Sequence, residues 1–274
     1  MRQPGKNINI KVNNITVSYN DEGSDNAPVI IFIHGFPLNK SMWDNQLNAL
    51  MDNYRVIAYD IRGHGNSELG TIDFSIDLFV KDLLRFMDAL KIEKTIICGL
   101  SMGGYIALNA IENHPERFSA LILSDTNCTA DTYAGKEKRM NAIKSIKENG
   151  VEKLANDLIP NLFAAESFKR NLKEIPAVRE MIAKTSTQSL YNSLHALAER
   201  KETCGKLSEI KAPVLIIVGT EDIITPIDAA RFMQSKIKGS KLRIIEHAGH
   251  LSNLENPYDF NSQLNKFIAT IKSI

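Results

Sequence analysis

Six short runs of β-branched and aliphatic residues, with little polar alternation, constrain the fold of this chain more than any other feature. They fall at 29–33 (VIIFI), 55–59 (RVIAY), 95–98 (TIIC), 120–123 (ALIL), 214–218 (VLIIV) and 242–245 (LRII). A strand that is apolar on both sides has both faces covered, as in a parallel sheet packed between helices. Ahead of them, 8–12 and 15–19 alternate apolar with polar around Asn13-Asn14, the pattern of a hairpin at a sheet edge. Helical periodicity lies between the runs. Ile76, Phe79, Val80, Leu83, Leu84, Met87 and Leu90 form one apolar stripe behind Ser75, a good N-cap. Near the end, Asn256-Pro257 reads as an N-cap followed by proline at the first helical position, with Phe260, Leu264, Phe267, Ile268 and Ile271 as the buried face. Strands alternating with helices predict an α/β fold with a mostly parallel sheet and right-handed crossovers.

One stretch breaks this rhythm. About 90 residues separate the run at 120–123 from that at 214–218, far more than a crossover needs. From roughly 130 to 206 the chain is charged and helix-rich. We read 1–125 and 207–274 as two parts of one core, and 126–206 as a helical lid inserted over the carboxyl edge of the sheet, where open α/β sheets bind ligands. Composition narrows the partners. With 33 Lys and Arg against 32 Asp and Glu, a net charge of +1, the chain lacks the basic excess of a nucleic-acid binder. No apolar run approaches the ~18–20 residues of a membrane span, and no apolar segment follows the basic residues at the N-terminus. A cytoplasmic protein with no membrane association is expected. Cys98, Cys128 and Cys204 are odd in number and match no zinc spacing, so buried thiols are expected.

Gly99-Leu100-Ser101-Met102-Gly103 carries the clearest chemical signal. It lies directly after the run at 95–98 and directly before a helical stretch at 105–112, the setting that a G-x-S-x-G nucleophile turn requires. The turn is tight enough that only small residues fit two places either side of Ser101, and it lifts the serine Oγ clear of the sheet. A serine hydroxyl is a weak nucleophile until a base takes its proton. His250, in HAGHLSNLENP after the run at 242–245, is placed to be that base, with His247 its near competitor. Asp222, in GTEDIITP after the run at 214–218, is placed to orient the imidazole, with Glu221 and Asp125 as rivals. The chain order is then nucleophile, acid, base. His34-Gly35-Phe36-Pro37 follows the run at 29–33. Gly35 lets the backbone bend close to the nucleophile, and the Phe36 and Met102 amides form an oxyanion hole. The loop Asp60–Ser67 (DIRGHGNS) reads as the structural floor of the site. Gly35 and Trp43 are predicted to line the substrate pocket.

HGFP, DIRGHGNS, GLSMGG, GTED and HAGH, in this order, resemble the α/β-hydrolase superfamily over about 8–125 and 207–272. The branch it most resembles holds the 3-oxoadipate enol-lactonases, small carboxylesterases and cofactor-free haloperoxidase-like esterases. GLSMGG and TEDIITP look most like the first of these, and HGFPLNKSMWDNQ like the last. The resemblance implies an eight-stranded, mostly parallel sheet flanked by helices. It implies the triad roles of Ser101, Asp222 and His250, the donors at Phe36 and Met102, and no metal or organic cofactor. Serine at the elbow separates the chain from cousins that use aspartate there. The expected reaction is hydrolysis of a small carboxylic ester or lactone through an acyl-enzyme. The alternatives are an enol-lactonase-type lactonase, carbon–carbon bond hydrolysis or perhydrolysis on the same triad, or a small-molecule receptor on a hydrolase frame. An enol-lactonase must hold a substrate carboxylate. Arg139, Arg170, Arg179 and Arg200 lie in the insertion, where solvated surface roles are expected for each.

Overall fold

The strands are β1 (Gly5–Val12), β2 (Ile15–Glu22), β3 (Val29–Ile33), β4 (Arg55–Tyr59), β5 (Thr95–Leu100), β6 (Phe118–Ser124), β7 (Val214–Gly219) and β8 (Lys241–Ile245). In a computed structural model, which describes residues 4–271, they form one eight-stranded sheet in the order β1-β2-β4-β3-β5-β6-β7-β8. Residues 1–3 and 272–274, the outer ends of the two expected core parts, lie outside the described residues. β1 and β2 pair antiparallel through Asn13 and Asn14, whose positive φ angles of 45° and 61° suit a two-residue hairpin turn. β2 meets β4 antiparallel, and the remaining pairs are parallel.

Five of the six apolar runs have the predicted cause; the sixth is β8, an edge strand with Lys241 and Arg243 exposed, which is not covered on both faces. On β3, Ile31 and Ile33 point into one buried cluster while Ile30 and Phe32 point into another. The first cluster is closed by α2 (Ile76–Ala89), α3 (Met102–Asn113) and α8 (Ile227–Lys236). The second is closed by α1 (Asp44–Leu50), α9 (Ser252–Glu255) and α10 (Pro257–Ile268). Ser75 caps α2 by accepting from the Leu78 N–H, and Asn256 caps α10 by accepting from the Asp259 N–H. Between β6 and β7 lie α4 (Tyr133–Leu162), α5 (Ala165–Lys169), α6 (Glu174–Lys184) and α7 (Thr187–Ala198). α4 is broken at Gly150, which has φ 78°.

Two features set the position of the site. Chain order reverses direction at β3, which lies between β4 and β5, and such a switch point opens a crevice at the carboxyl ends of the strands. The register then aligns those ends: Ile33 opposes Gly99, Leu100 opposes Ser124, and Gly219 opposes Ile245. Loops leaving β3, β5, β6, β7 and β8 therefore emerge on one edge.

The cysteine expectation is overturned. Cys128 and Cys204 form a disulfide across a separation of 76 residues, while Cys98 is free and buried in β5. β6 and β7 are neighbours, so the insertion departs and returns at the same place. Counting cysteines does not register that closure. No helix of the described residues is long and apolar enough to cross a membrane.

Candidate active site

Ser101 stands between β5 and α3 with φ 53° and ψ −113°, a backbone that a non-glycine residue rarely adopts. The turn is tight because the elements crowd it. A Cβ on Gly99 would lie 2.2 Å from the Gly103 carbonyl oxygen, and one on Gly103 would lie 2.3 Å from that of Ile33. The Ser101 N–H donates to the Ser124 carbonyl at 3.0 Å, and Thr126 Oγ1 donates to the Ser101 carbonyl at 2.8 Å. The Ser101 turn is thus held from the end of β6.

Asp222 leaves β7 in a loop that folds back on its carboxylate. Oδ1 accepts from the N–H groups of Ile224 (2.8 Å) and Thr225 (2.9 Å), and Oδ2 accepts from Thr225 Oγ1 (2.7 Å). His250 Nδ1 lies 2.9 Å from Asp222 Oδ2. The carboxylate accepts only, so the imidazole proton sits on Nδ1 and Nε2 keeps a free lone pair. Burial pulls the His250 pKa down, but the Asp222 charge and hydrogen bond outweigh it, so the net shift is upward. Burial pushes Asp222 up, and the facing imidazole outweighs that to leave it lowered. Each partner favours the charged form of the other. His247, by contrast, is exposed, as is Glu221.

Ser101 and His250 line one cavity of about 300 Å3, together with Phe36 and Met102. Among the described residues, neither the Phe36 nor the Met102 N–H has a hydrogen-bond acceptor. Phe36 is presented by a fixed loop. Buried His34 accepts from the Ile61 N–H through Nε2, so its own proton is on Nδ1, which donates to the Gly35 carbonyl. Burial and neighbouring His64 hold His34 well below the ordinary histidine range, hence neutral. A Cβ on Gly35 would lie 3.3 Å from the Ser101 Cβ, so the loop runs against Ser101. His64 is buried in the DIRGHGNS loop, with Nδ1 on the Arg62 carbonyl and Nε2 3.4 Å from Ser193 of α7.

Two expectations need correction. Neither Gly35 nor Trp43 lines the cavity. Gly35 is buried behind Phe36, with its backbone against Leu100 and Ser101. Trp43 is fully buried, packed on Phe32 and Phe260 with ring centroids 5.0 and 6.2 Å away. It ends a 3₁₀ turn that covers one face of the sheet, and the pull of that core outweighs the nearby loop. Arg200 is buried and Arg139 half-buried, so neither is a free surface charge. Both pair with Asp131, and Arg200 stacks on the Tyr105 ring at 4.4 Å from its centroid. Arg139 and Lys138 line the cavity beside Asp131. Arg170 is exposed, and Arg179 pairs with Glu152 and Asn156. Tyr105 and the α4 residues Leu154, Leu158 and Leu162 also line the cavity and went unnamed in the sequence reading. The four-residue spacing of those leucines is a signal that could have found them. Among the described residues, no group of three or more His, Cys, Asp or Glu is placed to hold a metal.

A family model described as "alpha/beta hydrolase fold" matches residues 28–257. The chain belongs to the α/β-hydrolase family. It is 31% identical over 268 residues to "3-oxoadipate enol-lactonase 1" of Acinetobacter baylyi, covering 98% of this chain and 95% of that one. Among solved structures, a thermophilic esterase from Thermogutta terrifontis superposes with a TM-score of 0.92 at 28% identity, covering 97% of this α/β hydrolase and 99% of the esterase. The enol-lactonase from Burkholderia xenovorans superposes with a TM-score of 0.89 at 27% identity, covering 96% and 100%.

Proposed function

We propose that this α/β hydrolase cleaves small carboxylic esters or lactones through an acyl-enzyme, with Ser101 as nucleophile, His250 as base and Asp222 as the acid that orients it. The observation that carries the reading is the Asp222–His250 hydrogen bond, which favours the tautomer with Nε2 unprotonated, on a histidine that lines the same cavity as Ser101. Ser101 Oγ attacks the carbonyl carbon as its proton passes to His250 Nε2. The carbonyl oxygen becomes an oxyanion held by the Phe36 and Met102 N–H groups, and the buried Asp222 carboxylate stabilises the imidazolium. Collapse breaks the bond to the leaving oxygen, which takes the proton from His250. In a lactone this opens the ring: the acyl carbon stays bonded to Ser101 and the freed hydroxyl remains at the far end of the same chain. Water, deprotonated by His250, then attacks the acyl carbon, and the acid departs as Ser101 regains its proton.

The segment 126–206 acts in this reading as a lid, and its leucines shape the acyl side of the cavity. A lactone bearing its own carboxylate is the second reading. Lys138 and Arg139 beside Asp131 favour it, as does the similarity to proteins named enol-lactonases. The sequence reading places the enzyme in the cytoplasm, where Cys128 and Cys204 would be kept as thiols. A closed disulfide belongs to an oxidising compartment. Thiol counting on protein taken from its own cells separates the two.

The test is labelling with a fluorophosphonate, followed by a panel of esters and lactones graded by chain length and charge. Ser101→Ala is expected to abolish labelling and to lower turnover by roughly 10⁴–10⁶-fold. Undiminished turnover in that variant would overturn the assignment. One stoichiometric modification without turnover would favour a receptor, and products other than acid plus alcohol would favour carbon–carbon cleavage or perhydrolysis.

A further inference from the structure

Asp125 is the buried acid that the proposed reaction leaves without a role. It follows β6 directly, is fully buried, and holds a left-handed backbone with φ 44°. Its own N–H donates to the Ile217 carbonyl at 2.9 Å. Oδ1 accepts from the Gly219 N–H at 2.9 Å, where β7 gives way to the loop carrying Asp222. Oδ2 accepts from Ser252 Oγ, two residues beyond His250, and from Ser124 Oγ at 2.7 Å. Its neighbours Ser124 and Thr126 are the two residues that hold the Ser101 turn. Three consecutive residues at the end of β6 therefore touch the segments bearing nucleophile, acid and base.

We propose that Asp125 is a positioning residue for the triad: one carboxylate oxygen holds the start of the acid loop, the other holds the base turn, and its charge faces the imidazolium that forms on His250. The inference rests on the roles proposed above for Ser101, Asp222 and His250. A surface aspartate at a strand end would need none of these bonds. A carboxylate kept in a buried site between two functional loops is costly unless its donors hold it there.

The charged and titratable groups around the pair come from several elements. Asp222 from the β7 loop and Glu255 from α9 face His250, and Asp222 also faces Asp125. The Cys98 thiol on β5 and the Tyr105 phenol on α3 are both pushed up, chiefly by burial. Burial first and the Asp222 charge second raise Asp125 to about 7, while His250 pulls it back down. Asp125 in turn is one of the charges that raise His250. Removing its charge, with the amide acceptor retained, must lower the pH at which His250 loses its proton.

The test is Asp125→Asn. Its side-chain oxygen can still accept from Gly219, and its NH2 can donate to Ser252. The imidazole of His250 is titrated by NMR on histidine-labelled protein, with His250→Gln identifying the signal. The expected result is a midpoint about one pH unit below wild type. The acidic limb of kcat/KM should move with it, and kcat should fall roughly tenfold while KM changes less. A folded variant whose His250 midpoint stays at the wild-type value overturns the proposal. Should Asp125→Asn fail to fold, Ser252→Ala takes its place. That variant removes a donor from the carboxylate, favours its neutral form, and is expected to lower the midpoint by a smaller amount; no change would again overturn it. The NMR titration needs no substrate, so a wild-type protein that turns over no ester would refute the hydrolase reading while leaving this readout intact.

Discussion

His250 illustrates how a single residue's chemistry is set by its neighbours. Burial alone would make it a weak base, yet Asp222, Asp125 and Glu255 surround it with negative charge and raise its pKa above the ordinary value. In the proposed mechanism His250 is the base, and a base works only when neutral. A raised pKa therefore means that activity is lost at a higher pH on acidification than an isolated imidazole, with its value of about 6.5, would give. A pH–rate profile on a neutral ester is expected to show its acidic midpoint above that value in wild type. In Asp222→Asn the midpoint should move down and the plateau should fall by about 10⁴-fold. A wild-type midpoint at or below the ordinary value would contradict this account of the pocket. The sequence left three acids open for the orienting role, because each follows a strand or lies within one position of the best one. Only distance separates them: Asp222 touches Nδ1, Glu221 faces solvent, and Asp125 binds the loops instead. Trp43 misled for a related reason. Its position near the HGFP loop is visible in sequence, but the side its ring takes depends on α10, more than 200 residues away.

At the scale of elements, the strands were the most legible part. A strand covered on both faces has little choice of residue, and β3 to β7 show it as unbroken apolar runs. The turn after β5 was legible too, because its crowding admits only glycine. Gly103→Ala is expected to be destabilising by about 1–3 kcal/mol or more, since its Cβ would meet the Ile33 backbone at 2.3 Å and backbone cannot yield as a side chain can. Gly205→Ala, where nothing lies within 4 Å of the added carbon, serves as the control. Thermal denaturation of the two variants checks it, and equal melting temperatures would refute the steric argument. The helices of the insertion were less legible. A charged residue on an amphipathic helix looks solvated in sequence, and Arg139 and Arg200 were read so. Their shared partner, Asp131, precedes the helix by only a few residues, but the pairing needs α4 and α7 to lie side by side.

For the whole molecule, the insertion is fastened to the core at several separate points. Glu255 of the base turn accepts from the Ala164 N–H, Ser167 Oγ and the Gly249 N–H, joining α5 to the loop that carries His250. Ser193 of α7 reaches His64 under the HGFP loop. The two ends of the insertion also meet each other, where the Thr203 N–H donates to the Cys128 carbonyl at 2.8 Å. The covalent link between Cys128 and Cys204 closes everything between them into a ring. Such a ring resists severing. A protease that cuts once in the exposed stretch around Gly150 should leave a molecule that migrates as one species without reductant and as two fragments with it, on denaturing gels. Two fragments in both lanes would mean that the ring is open. A chain of this design can be cleaved between β6 and β7 and still keep both halves of that segment tethered.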